Sequence, residues 1–274
     1  MAIFWNIGQN LSGRDFVVGD VHGHWQQLQN QLAELAFNPA CDRLFCLGDI
    51  VDRGPDSAAM VEMIDQKVYF SILGNHEAMM IAGFEDPEAV AMHAANGGEW
   101  FYRLSPAEQQ TLVDKVRQWP WAAEIQAPRG TAGLVHADVP DSDWNTVKQL
   151  LRDIGSAWAG GAPFSESDIS AAAQPLLWNR GLIRQLYRDI VGLQIGKRDI
   201  ADLKRVFLER EARMERLGQH SLSPFQVGGI DAVFMGHSYV PFATNVGNCH
   251  FLDIYRGEPG EKLGILCLNE ALAS

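Results

Sequence analysis

Asp20 and His22, then Asp49, Asp52 and Arg53, then Asn75 and His76 sit in three short polar motifs: GDVHG (19–23), GDIVDRG (48–54) and GNHE (74–77). Each follows an apolar run. Two further histidines, His136 after GLV and His237 in AVFMGH, stand in the same kind of place. The inventory is Asp, His, Asn and Arg, with no cysteine. Oxygen and imidazole ligands suit hard or borderline divalent cations, and a guanidinium suits phosphate. The chemistry implied is two-metal hydrolysis of a phosphoester.

Asp20 and His22 are spaced i, i+2, which in extended backbone puts both side chains on one side. Asp49 ends a second apolar run, so beside the first its carboxylate reaches the same point. Two divalent ions ~4 Å apart repel by ~16 kcal/mol at an effective dielectric of about 20. A shared carboxylate offsets this, and Asp49 is the expected bridge. Asn75, His136 and His237 are the expected further ligands of the second ion. The two ions outweigh Asp20, Asp49 and a bridging hydroxide by one positive charge, so the centre attracts phosphate. His76 adjoins Asn75, so its side chain diverges toward the leaving group, where a general acid is worth roughly 10²–10⁴-fold. Asp52 is the expected partner that orients His76 and raises its pKa. Arg53 offers a planar fork for two phosphate oxygens. A single histidine behind a strand is usually structural. Here four of the eight (His22, His76, His136, His237) fall at successive strand ends. His24, His93, His220 and His250 are left outside the site.

The elements that must position these residues are legible as short runs of Val, Ile, Leu and Phe at 16–18, 44–47, 68–73, 132–135, 231–235, 242–246, 249–254 and 263–268. Each is flanked by turn residues and reads as a strand. Helical spacing at 25–37 and 56–66 falls between the early ones, so the first half alternates strand and helix and implies parallel strands. The last stretch reads as an antiparallel meander. A helical insert spans about 76–120. Within it SPAE (105–108) has an N-cap serine, Pro at the first helical position and Glu two further on. A second helical region runs from about 141 to 217, broken near AGGAPF (159–164). Its tryptophans Trp144, Trp158 and Trp178 read chiefly as core, with the region walling a substrate groove. The expected fold is one α/β (α+β) domain over 1–274: a central two-sheet β-sandwich flanked by helices.

The chain has 274 residues, 47% of them apolar, enough for a sizeable core. Its net charge of −12 opposes nucleic-acid binding. Residues 180–216 are locally basic at +4. That stretch is either a solvated helix with pairs such as Arg198–Asp202, Arg205–Glu209 and Glu209–Arg213, or a docking face for an anionic substrate. The N-terminus has no secretion signal and no run is long enough to span a membrane, so a cytoplasmic protein without a membrane partner is expected. Cys41, Cys46, Cys249 and Cys267 lack paired spacing and read as buried free thiols.

GDVHG, GDIVDRG, GNHE, HA and GH in this order resemble the PPP family of phosphoprotein phosphatases, within the calcineurin-like metallophosphoesterases. HADVP (136–140) and WNR (178–180) are similar to its bacterial and bacteriophage lambda-type branch, since eukaryotic members usually have Gly where Asp138 stands. The resemblance implies Asp20, His22 and Asp49 on one metal, and Asp49, Asn75, His136 and His237 on the other. It implies His76 as the catalytic histidine with Asp52 as its partner, and Arg53 as a phosphate ligand. Arg180 matches a second phosphate-binding arginine. Two divalent ions are expected: manganese first, iron or zinc as alternatives. The reaction implied is hydrolysis of phosphoserine or phosphothreonine proteins, or of small phosphoesters, by direct attack of a dimetal-bound hydroxide. The alternatives are a symmetrical diadenosine tetraphosphate hydrolase and an inactive scaffold. A scaffold usually loses a ligand or the catalytic histidine, and none is missing here.

Overall fold

The structure, a computed structural model, describes residues 2–191, 223–258 and 260–272. The pairs expected at 198–213 and His220 lie outside the described residues. Ten strands are present among these: β1 (Phe4–Ile7), β2 (Asp15–Val18), β3 (Arg43–Cys46), β4 (Tyr69–Ser71), β5 (Ala122–Ala127), β6 (Gly130–Val135), β7 (Ala232–Met235), β8 (Thr244–Val246), β9 (Cys249–Phe251) and β10 (Ile265–Cys267). They form a four-stranded sheet, β10-β2-β3-β4, and a six-stranded sheet, β1-β5-β6-β7-β9-β8.

Side-chain alternation explains the layering. In the four-stranded sheet Val17, Phe45 and Ile72 face inward and meet Ile125, Leu134 and Phe234 of the other sheet. Their neighbours Phe16, Val18, Leu44 and Cys46 face outward, against Leu28 and Leu32 of α1 (Trp25–Glu34) and Met60 and Val61 of α2 (Ser57–Met63). With both faces covered, β2 is buried along its whole length. The insert supplies α3 (Asn75–Glu85), α4 (Val90–Ala95) and α5 (Pro106–Val116). Ser105 and Glu108 close the expected capping box on α5. Farther on come α6 (Trp144–Ala159), α7 (Ser167–Ala173) and α8 (Gly181–Gln185). Trp144 and Trp158 are core and Trp178 is partly buried.

Three expectations change. Phe4–Ile7 and Ala122–Ala127 are strands that apolar runs did not reveal. β5 is built largely from alanine, and its Glu124 is used by Trp144 Nε1 (2.7 Å) and Lys148 Nζ (2.9 Å). The C-terminal stretch is not a meander. β7 and β9 are parallel, only β8 and β9 form an antiparallel pair, and β10 crosses to the other sheet to lie antiparallel to β2. A hairpin at Gly247 (φ +59°) turns β8 back, and the chain after β9 then passes over the end of β2, where Gly19 N–H donates to Gly264 O at 3.0 Å. All four cysteines are free, as expected, but Cys41 and Cys267 are only partly buried. No helix among the described residues is long and apolar enough to cross a membrane.

Candidate metal centre

In parallel register Val18 pairs with Cys46 and Cys46 with Ser71, so β2, β3 and β4 end side by side. The loops carrying Asp20 and His22, Asp49 to Arg53, and Asn75 and His76 therefore leave the sheet together. β6 and β7 end facing them, delivering His136 and His237. Carboxyl ends of adjacent parallel strands are where α/β folds place their ligands.

The loops are not extended. His22, Asp49, Asp52, Arg53 and His237 have φ of +49°, +49°, +72°, +65° and +64°. The i, i+2 argument for Asp20 and His22 is thus corrected: a left-handed turn, not a strand, brings them together. Such conformations cost ~1–3 kcal/mol each and concentrate where geometry matters more than stability. Close backbone approach does the rest. A Cβ on Gly74 would lie 2.3 Å from Asp49 N, and one on Gly236 would lie 2.2 Å from Asp20 Oδ1. Glu77, not singled out from the sequence, knits the loops. Its buried carboxylate accepts the N–H groups of Asp49 (2.8 Å), Ile50 (2.9 Å), Val51 (3.3 Å) and Gly74 (2.9 Å).

At the centre, His136 Nε2 lies 2.9 Å from Asn75 Oδ1 and 3.3 Å from Asp49 Oδ1, while His237 Nδ1 lies 2.8 Å from the same Asn75 oxygen. The other ring nitrogens donate to carbonyls, His136 Nδ1 to Leu47 O (2.7 Å) and His237 Nε2 to Trp178 O (3.2 Å). With His136 deprotonated, as a metal ligand must be, the inward-facing atoms are four lone-pair donors around one point, a place for a cation. On the other side His22 Nδ1 donates to Val51 O (3.1 Å), leaving Nε2 as the ligand atom, 3.9 Å from Asp20 Oδ2. Asp49 belongs to both ligand groupings, one with His22 and His76 and one with His136 and His237. The residues fit two divalent ions that share Asp49.

Electrostatics agree. Burial lowers the pKa of His22 and of His237 to about 3, against the pull of Asp49, so both imidazoles are neutral and ready to ligate. Burial also disfavours charge on His136, but Asp49 overrides it and raises that pKa to about 10, so without a metal a proton occupies this place and a cation displaces it on binding. Burial, then Asp253 and Asp49, hold Asp20 well above the usual carboxylate range. Asp253 is a second residue missed in the sequence. It lies in the chain crossing after β9, an order of contact no local pattern encodes.

His76 stands beside this centre. Its N–H donates to Asp49 Oδ1 (2.9 Å) and its Nδ1 meets Asp52 Oδ2 at 2.7 Å. Burial lowers the His76 pKa, yet Asp49 and Asp52 together raise it above the ordinary value. Arg53 donates to His22 Nε2 (2.8 Å) and His76 Nε2 (3.1 Å), so its guanidinium faces two imidazoles rather than outward. Arg180 Nε donates to Ser238 Oγ (3.2 Å), next to His237. Asp138 holds that loop in place, accepting from Asn179 Nδ2 (2.9 Å), Gly181 N (2.7 Å) and Leu182 N (3.3 Å). All ten residues expected from the sequence thus lie at this one end of the sandwich.

Two packed sheets with such a cluster at their carboxyl ends define a protein of the metallophosphoesterase class. The calcineurin-like phosphoesterase signature matches residues 16–241, and the chain belongs to that family. It is 38% identical over 138 residues to "Serine/threonine-protein phosphatase 2" of Escherichia coli (strain K12), covering 49% of this chain and 63% of the relative. It is 34% identical over 135 residues to "Bis(5'-nucleosyl)-tetraphosphatase, symmetrical" of Shewanella sp. (strain ANA-3), covering 46% and 44%. The matches span less than two thirds of these relatives' length. A solved structure of a cold-active protein-tyrosine phosphatase of a psychrophile, Shewanella sp., matches with a TM-score of 0.55 at 15% identity, covering 98% of this chain and 78% of that one. That likeness shows the shared fold.

Proposed function

We propose that the chain is a metal-dependent phosphoprotein phosphatase acting on phosphoserine and phosphothreonine. Asp20, His22 and Asp49 hold one divalent ion; Asp49, Asn75, His136 and His237 hold the other. Manganese is the first candidate, with iron and zinc as alternatives. Bound there, the ions supply Lewis-acid polarisation of the phosphoryl oxygens and a water of lowered pKa. Arg53 and Arg180 bind the remaining phosphoryl oxygens, Arg53 by exchanging its two imidazole acceptors for the more strongly accepting anion. His76, oriented by Asp52, gives its Nε2 proton to the departing alkoxide. The four thiols, all free, support a reducing cytoplasmic setting.

The observation that carries the reading is the meeting of the Asp49, Asn75, His136 and His237 side chains at one point, beside the His76–Asp52 pair. The test is metal analysis of the purified protein with a panel containing a phosphoserine peptide and diadenosine tetraphosphate. Two ions per chain and faster turnover of the peptide are expected. Faster cleavage of the dinucleotide would replace this reading with the activity named for the Shewanella relative.

A further inference from the structure

Asp52 is buried completely, and three side chains converge on its carboxylate. His76 Nδ1 takes Oδ2 at 2.7 Å and Trp100 Nε1 takes Oδ1 at 2.7 Å. His93 Nε2 lies between the two oxygens, at 3.2 Å from Oδ1 and 3.1 Å from Oδ2. The ring of His93 is itself fully buried on α4, with Nδ1 2.9 Å from the hydroxyl of Tyr102. A tyrosine hydroxyl that donates to Nδ1 leaves the imidazole hydrogen on Nε2, aimed at Asp52. Room for this chain is provided at two separate glycines. A Cβ on Gly98 would lie 2.1 Å from His93 Nε2, and one on Gly83 would lie 2.1 Å from the Tyr102 hydroxyl.

We propose that His93 is a positioning residue for proton donation, the third member of a chain His76–Asp52–His93 anchored on Tyr102. The χ2 torsion of an aspartate is broad, so the backbone does not dictate the plane of the Asp52 carboxylate. His93 straddles both oxygens and, with Trp100, sets that plane so that Oδ2 faces His76. This rests on His76 acting as the general acid.

The test compares His93→Met with His93→Gln in the metal-loaded full chain. The two replacements have similar length and volume, and only glutamine keeps an N–H for Asp52. Expected for His93→Met is a loss in kcat of roughly 10–100-fold on a phosphoserine peptide, the range for removing a partner behind a functional group. KM and metal content stay unchanged, and p-nitrophenyl phosphate, whose leaving group needs no proton, is far less affected. His93→Gln recovers most of the loss, and Tyr102→Phe shows a smaller loss of the same kind. Equal losses on both substrates, or no difference between the Met and Gln variants, would overturn the proposal. His76→Asn is measured alongside. If it lacks the leaving-group dependence, the general-acid reading fails and this proposal with it. If it shows that dependence and His93→Met does not, only the role of His93 falls.

Discussion

Asp49 couples the two halves of the site. One of its oxygens accepts the His76 N–H and faces His136, while Glu77 fixes its own N–H. Replacing it with asparagine keeps the volume but removes the charge shared between two ions. Asp49→Asn is therefore expected to bind at most one ion per chain and to lose turnover, as read by metal analysis; two retained ions would argue against a bridge. The Asp52 charge favours the protonated form of His76. Without it the acid form is lost at lower pH, so Asp52→Asn should move the alkaline limb of the kcat profile downward, and an unmoved limb would contradict the pairing. Asp253 offers a test in metal-free protein. Burial and the Asp49 charge raise its pKa to about 7. Between its ordinary value near 4 and about 7, folded Asp253 holds a proton that the unfolded chain has released, so its contribution to stability falls as pH rises. Metal-free Asp253→Asn should accordingly gain stability relative to the parent as pH goes from about 4 to about 7, measured by urea unfolding.

At the scale of elements, the site depends on how closely the loops can stack. Gly74 begins α3 against the Asp49 backbone, and the added methyl of Gly74→Ala meets a main-chain nitrogen that has no room to yield. A loss of ~1–3 kcal/mol, typical of overpacking, is expected in urea unfolding together with weaker metal binding. β2, β3 and β4 with α1 and α2 were legible because hydrophobic period and turn residues agree there. β1 and β5 were not, because short strands with few branched side chains depend on their neighbours for burial. The insert read simply as helical. No local pattern encodes that α4 returns a histidine to Asp52.

Over the whole molecule, the proposed metal centre would act as a cross-link. Loops from both sheets end on it, and without cations its buried carboxylates must take up protons or face one another. An ion that binds only the folded chain adds ~2.7 kcal/mol at a concentration of 100 Kd. Chelation should lower the unfolding temperature, restoration of manganese should raise it with concentration, and a melting point indifferent to metal would mean that the loops hold their places unaided.

The sequence by itself set the expected chemistry. Residue types and short motifs point to proposed ligands, because coordination depends on which atoms are offered, and Asp20, His22, Asp49, Asn75, His136 and His237, with His76 beside them, were all named from local pattern. Tertiary structure alone decided which lone pairs face which, that His22 and Asp49 reach the site through left-handed turns, and that Glu77, His93, Trp100 and Asp253 stand behind the first ring of residues. Those contacts join positions up to hundreds of residues apart, and their energy comes from burial and mutual geometry, which no local spacing records.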